Sequence, residues 1–260
     1  MQLSSITPII LTFNEAANIE RNLAALAWAE RVVVVDSGSS DDTAALVGRH
    51  ANATLVTRAF DCHANQWNHA LTQTGIDSEW VLVLDADHIV PERLMQEMQT
   101  LAPAADVNGF RANFVYCIDG HPLRGSLYPP AVVLFRRQHG RFVQDGHTQR
   151  LVCDGKIEAL QSKLLHDDRK STERWLQSQA RYMTLEAAKL GAAQWRDLDW
   201  ADRLRRLKVV APFVVFFYCL IVKGLLFNGK AGLLYTLQRT TAEAILSMIL
   251  LRQSLRRIVP

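Results

Sequence analysis

Two carboxylates sit two residues apart in VLVLDADHIV (81–90), where the apolar run from Val81 to Leu84 gives way to Asp85, Ala86 and Asp87. Ionised groups this close repel one another unless a cation lies between them. Oxygen donors of this kind suit Mg2+ or Mn2+, which keep open positions for water and for substrate phosphates. An ion held here would bridge the two acids to a diphosphate and act on it as a Lewis acid. An isolated Asp-x-Asp reads equally as a helix cap beside a solvated acid, so the surrounding elements decide.

Those elements alternate. ITPIILT (6–12), RVVVVD (31–36), ATLVT (53–57) and EWVLVLD (79–85) read as strands, the second so apolar that both of its faces must be covered. Helical spacing runs through EAANIERNLAALAW, through 42–50 and through HANQWNHALTQ (63–73). PERLMQEMQTL (91–101) places Pro91 at a first helical position, where its missing N–H costs nothing. This rhythm predicts an α/β fold with a mainly parallel sheet flanked by helices. Ligands of such sheets sit at the carboxyl ends of the strands. Asn14 and Glu15, Asp36, Arg58, and Asp85 with Asp87 fall at four of those ends and converge on one rim. Asp36 reads as an acceptor for a nucleobase or ribose, since Ser40 or Asp41 serves better as the cap of the next helix.

After residue 105 the rhythm changes. GFRANFVYCIDG and AVVLFRR read as strands joined by HPLRGSLYPP, whose Arg124 and Tyr128 are candidates for contacting an acceptor. Arg169, Lys170 and Arg174 are placed to neutralise a departing diphosphate, or to open a solvated helix from about Thr172 to Leu190.

ILTFNEAANI, VVVVDSGSSDDT, a polar helix carrying Asn68 and WVLVLDADHIV, in that order over residues 6–95, resemble the nucleotide-sugar domain of family-2 glycosyltransferases with the GT-A fold. YPPAVVLFRR, QDGHTQR, LLHDDRKS and RWLQSQARYMTLEAAKL resemble the WaaE-type lipopolysaccharide core glucosyltransferases. The resemblance implies a GT-A, Rossmann-like domain over 1–195, with a nucleotide-sugar half (1–100) and an acceptor half (101–170). It implies a UDP-sugar donor, Mn2+ or Mg2+, and inversion at the anomeric carbon. Thr12, Asn14, Glu15 and Asp36 would hold the uridine; Arg58, Gln66 and Asn68 would line the donor pocket. Asp85, Ala86, Asp87, Arg169 and Lys170 would handle the diphosphate and metal, with His166 as a further metal ligand. Gln66-Trp67-Asn68 departs from the Lys- or Arg-containing version common in relatives. An inverting transfer needs one base for the acceptor hydroxyl, and QDGHTQR offers Asp145, with His147 as second choice. The reaction implied is transfer of a hexose, glucose above all, to an inner-core heptose of lipopolysaccharide. Another lipid-linked or cell-envelope acceptor is the alternative, and a non-catalytic nucleotide-sugar binder a more remote one.

Composition limits the remaining classes. The chain has 260 residues, is 49% hydrophobic and carries a net charge of +3. Its four cysteines form no Cys-x-x-Cys pair, which disfavours a zinc knuckle or disulfide framework and fits a reducing compartment. The N-terminus lacks the basic region of a signal peptide, so a cytoplasmic protein is expected. Residues 201–260 hold ten Lys or Arg against two acids, on an otherwise acidic chain. That segment, with its apolar run 209–222, predicts a C-terminal helical extension (196–260) that is apolar and basic. Fourteen apolar residues fall short of the roughly 20 that span a bilayer. The expected partner is a membrane surface, through 203–260 at the inner face of the cell membrane; burial in a homo-oligomer is the alternative. No nucleic-acid partner is expected.

Overall fold

Val32, Val33, Val34 and Val35 are all fully buried, as unbroken β-branched runs must be when helices cover both faces of a sheet. The computed structural model describes residues 1–145 and 148–258. The chain runs β1 (Ile6–Thr12), α1 (Ile19–Ala24), β2 (Val32–Asp36), α2 (Thr43–Val47), β3 (Ala53–Thr57), α3 (His63–Gln73), β4 (Trp80–Asp85), β5 (His88–Ile89) and α4 (Glu92–Thr100). It continues through β6 (Val107–Ala112), β7 (Phe114–Ile118), β8 (His121–Pro122), β9 (Ala131–Arg136), β10 (Gly140–Asp145), β11 (Thr148–Cys153), β12 (Lys156–Ala159) and β13 (Leu164–His166). Four helices close it: α5 (Thr172–Ala192), α6 (Trp200–Arg206), α7 (Val210–Phe217) and α8 (Gly229–Ile258).

Packing divides the chain into two units, one of residues 1–117 with 128–169 and one of 118–127 with 170–260. In the first unit a seven-stranded sheet has the order β12-β6-β9-β4-β1-β2-β3. Residues alternate between its two faces, as the period of a strand requires. Ile10, Val34, Leu82 and Leu84 pack with Ile19 and Leu23 of α1 and Leu94 and Met98 of α4. Ile9, Val33, Val35, Val81 and Val83 pack on the opposite face with Ala64, Trp67 and Leu71 of α3.

β1 pairs in parallel with both β2 and β4, and β2 with β3. The chain thus leaves β1 in one direction to β2 and β3, then crosses back to β4. This reversal opens a crevice at the carboxyl ends of β1 and β4, where open α/β sheets bind ligands. The sheet is not parallel throughout, because β9 lies between β4 and β6 and runs antiparallel to both. A parallel neighbour needs a crossover, usually helical, and residues 113–130 contain no helix. Two local expectations also shift. Pro91 is the N-cap residue of α4, not its first helical position. α1 covers only Ile19–Ala24 of the longer helical pattern, because 25–28 form turns.

In the second unit Ala187, Leu190, Leu198, Leu246 and Leu250 form the core that joins α5 to α8. α8 also packs closely on the 3-10 turn Leu225–Asn228 at Gly232, where a Cβ would collide with the Leu225 carbonyl. Gly232→Ala will therefore cost about 1–3 kcal/mol, measured by chemical denaturation followed by circular dichroism.

Candidate active site

The register of the parallel strands aligns the polar strand ends. Leu11 lies opposite Asp85, Thr12 opposite Asp36, and Asp36 opposite Thr57. Asp36 is buried, and its carboxylate accepts hydrogen bonds from Thr12 Oγ1 (2.9 Å), Ser39 Oγ (2.5 Å), and the backbone N–H groups of Gly38 (3.0 Å) and Ser39 (2.8 Å). The aspartate thus shapes the loop after β2, while Asp41, not Asp36, accepts the Thr43 N–H at the start of α2. Asn14, in the left-handed region at φ 55°, serves the same loop: its Oδ1 accepts from the Ser40 N–H at 2.7 Å. The Glu15 N–H donates to Thr43 Oγ1, and the Thr43 N–H to Asp41 Oδ1, which secures the start of α2.

The next strand end is held by Arg58. Its guanidinium makes a bidentate pair with Asp61 at 2.8 and 2.9 Å and also donates to Gln66 Oε1. That pairing holds the exposed Asp61 carboxyl well below the usual carboxylate range. Gln66 is fully buried and donates to Ser37 Oγ, which ties α3 to the loop after β2. Asn68 turns to β10 and bonds both backbone groups of Phe142 at 2.9 Å.

The crevice itself is organised around 85–88. Fully buried Asn22 of α1 donates its amide to the carbonyls of Asp85 (3.0 Å) and His88 (2.6 Å), spanning the Asp-x-Asp turn. Ala86 is buried beneath that turn. Asp85 has its side chain 50% exposed and lies 3.7 Å from His88 Nε2, whereas Asp87 is 13% exposed. β5 pairs antiparallel with β13, which sets His166 directly opposite His88, and β13 pairs in parallel with β7, which sets His166 beside Tyr116. His166 Nε2 consequently lies 3.7 Å from Asp87 Oδ2, and its ring stacks on Tyr116 with centroids 4.5 Å apart.

Asp87, His88 and His166 offer ligand atoms within 4.8 Å of one another. The two histidines are not equivalent. His88 Nδ1 accepts the Asp85 N–H at 3.1 Å, so the neutral ring carries its proton on Nε2, which faces the Tyr128 hydroxyl at 3.2 Å. Its lone pair is thereby committed. Burial pushes the pKa of both imidazoles down and favours the neutral rings, and it pushes the Tyr128 phenol up. The His166 nitrogen that faces Asp87 is Nε2; Nδ1, the other ring nitrogen, is buried with no hydrogen-bond partner among the described residues. Two ligands of one divalent ion, each about 2.1 Å from it, lie roughly 3–4 Å apart. The 3.7 Å between Asp87 and His166 falls in that interval, so these residues fit a divalent cation, with His88 orienting its neighbours.

A polar cluster fixes the chain just beyond β13. Asn18, nearly fully buried, donates to Glu15 and Asp168 and accepts from Arg21 and from the Arg169 N–H. Arg21 and Arg169 both bond Asp167 Oδ2, at 2.8 and 2.7 Å. Burial also lifts the nearby Cys117 thiol to about 11, which keeps it protonated. Sequence reading passed over Asn18, Arg21, Asn22, His88 and Asp167. The available signal was Asn18 and Asn22 at i, i+4 beside apolar Ile19 and Leu23, two amides bordering a buried helix face. Asn22→Ala will strand the Asp85 and His88 carbonyls and cost about 2 kcal/mol, measured as a lowered denaturation midpoint.

The remaining candidates divide between the two units. Lys170 and Arg124 belong to the second unit, where the Arg124 N–H donates to Asn228 and its guanidinium lies 5.7 Å over the Phe227 ring. Tyr128 belongs to the first unit, beside His88. Asp145 ends β10 but its side chain lies outside the described residues, as does His147.

The family model described as Glycosyl transferase family 2 matches residues 7–157. A lipopolysaccharide core biosynthesis glycosyltransferase, LpsC, of Rhizobium meliloti (strain 1021) is 29% identical over 198 residues, which are 70% of this chain and 70% of that protein. An uncharacterized glycosyltransferase of Rickettsia bellii is 33% identical over 95 residues, 36% of this chain; the match spans 31% of that relative's length. S. aureus TarS 1-349, crystallised in complex with UDP-GlcNAc, superposes with a TM-score of 0.50 at 15% identity, covering 92% of this chain and 90% of that one. At that identity the likeness is one of fold.

Proposed function

The chain belongs to glycosyl transferase family 2 and is a glycosyltransferase, and from that premise we propose that it is a metal-dependent, inverting enzyme moving glucose from a UDP-sugar to an inner-core heptose of lipopolysaccharide. The observation that carries the metal dependence is the Asp87–His166 pair, with Oδ2 and Nε2 3.7 Å apart just beyond the carboxyl end of β4. The acceptor class is supported by LpsC, the relative that this chain matches over 70% of both lengths.

Asp87 and His166 would hold the cation, which when bound supplies Lewis-acid neutralisation of the donor diphosphate. Asp85, half exposed, is proposed to contact that diphosphate. His88, bridged between the Asp85 N–H and the Tyr128 hydroxyl, keeps the turn and the tyrosine in place. Thr12, Asn14 and Asp36 border the crevice at the ends of β1 and β2, the position proposed for the uridine. Asp145, with His147 as alternative, is proposed to take the acceptor proton on the face opposite the departing UDP. An oxygen-plus-imidazole donor set favours Mn2+ over the harder Mg2+.

The test is UDP release from a panel of UDP-sugars with Mn2+, with and without lipopolysaccharide truncated at the inner-core heptose. UDP-glucose with acceptor will give the fastest release, and EDTA will abolish it. Release that is indifferent to EDTA, or to acceptor for every sugar, would overturn the proposal.

A further inference from the structure

The second unit carries an exposed apolar surface. Phe213, Phe217, Ile221, Val222, Leu226 and Phe227 are each more than half exposed, Phe227 at 73%. They lie on α7, on the π-helical turn Tyr218–Val222 that extends it, and on the 3-10 turn Leu225–Asn228. Large exposed apolar patches of this kind mark interaction sites. Two features identify the partner.

The first is shape. Among the described residues no single helix is long and apolar enough to cross a membrane; Val210–Val222 and Leu225–Arg256 pass that test only together, bent by 71°. Val210–Val222 is about 20 Å long at 1.5 Å per residue, against a hydrocarbon core of about 30 Å. Gly224 (φ 67°) and Gly229 (φ 54°) hold the break in backbone conformations that side chains resist. Such a segment is suited to lie in a membrane interface.

The second is charge. Every charged side chain between Asp202 and Glu243 is a Lys or Arg. Lys223 stands at the bend, 5.6 Å from the Tyr218 ring, and the Arg124 guanidinium lies over Phe227. In a two-fold dimer the same patch meets itself, so these cations would face one another without an acid to pair them. A leaflet of anionic lipid instead offers apolar depth to the aromatic and aliphatic side chains. It also offers phosphates at the level to which Lys and Arg reach.

We propose that this surface docks the protein, lying in the interface without crossing it, onto an anionic phospholipid bilayer. Phe217, Ile221 and Phe227 enter the acyl boundary while Lys223, Lys230 and Arg124 meet headgroup phosphates. The test is flotation of the intact chain with vesicles of phosphatidylethanolamine and phosphatidylglycerol, compared with phosphatidylcholine alone. The chain will float with the anionic vesicles and far less with the neutral ones. Combined Phe217→Ser, Ile221→Ser and Phe227→Ser will lower partitioning by on the order of a hundredfold. Lys223→Glu with Lys230→Glu will lower it by roughly tenfold or more. Both variants will keep the parent's denaturation profile. A chain that ignores vesicles and sediments as a stable oligomer would overturn the proposal, as would variants that float like the parent. The proposal stands apart from the transfer reaction: failure of UDP release would leave flotation intact, and failure of flotation would leave UDP release intact.

Discussion

Asp87→Asn will lower Mn2+-dependent UDP release by about a thousandfold, which corresponds to about 4 kcal/mol of transition-state stabilisation. Asparagine keeps the shape of the side chain and removes the anionic oxygen that pairs with His166 Nε2 across 3.7 Å. With His88 committed to the Asp85 N–H, no neighbouring imidazole replaces the lost ligand. A second readout separates this outcome from misfolding. Mn2+ will raise the thermal midpoint of the parent and leave that of the variant unchanged, since a ligand stabilises only the state that binds it. The circular dichroism spectrum of the metal-free variant will match that of the metal-free parent. Asp85→Asn, at a half-exposed position, will cost less in metal affinity than in donor turnover. A variant at Asp87 that retains both turnover and the Mn2+ shift would remove the metal from the mechanism.

Arg205→Ala will destabilise the second unit by about 3–5 kcal/mol. Arg205 on α6 donates to Glu243 of α8 at 2.9 Å and to Asp202 at 3.1 Å, and it lies 3.7 Å from Glu186 of α5. Glu186, Asp202 and Glu243 are all buried, and Lys189 lies 3.7 Å from both Glu186 and Asp202. Burial alone would lower the Arg205 pKa; its hydrogen bond to Glu243 and the surrounding carboxylates outweigh that and raise it. Without the guanidinium, the buried carboxylates of Asp202 and Glu243 lose the hydrogen bonds that Arg205 donates. The loss will be read as a lowered urea-denaturation midpoint at neutral pH. Arg205→Lys will fall between, since it keeps a charge but not the forked geometry. An Arg205→Ala midpoint equal to the parent's would show that this cluster adds nothing to the stability of the second unit.

Much of the framework was legible from local patterns. Strand limits at 6–12 and 53–57 and the helix at 63–73 coincide with β1, β3 and α3, because period-2 and period-3.6 patterns are written within a few consecutive residues. The antiparallel insertion of β9 was not legible, since AVVLFRR is apolar enough for either direction and its direction comes from the helix-free path before it. Of the rim residues, Asp36, Arg58 and Asn68 were legible as polar groups at strand ends or on α3. Their present hydrogen-bond partners, Ser39, Asp61 and Phe142, are matters of loop and strand geometry that spacing does not encode.

By itself the sequence determined that an apolar strand ends in two carboxylates, that β and α segments alternate ahead of it, and that a cationic, apolar segment lies C-terminal to it. These are properties of neighbours along the chain. Only the tertiary structure decided that Asp87 lies beside His166 while Asp85 stays half exposed, that His88 is occupied by a backbone N–H, and that Asn22 braces the turn. The reason lies in strand pairing. The antiparallel register of β5 with β13 brings His166 opposite His88, and hydrogen bonds between distant segments satisfy buried polar groups in ways that no local pattern records.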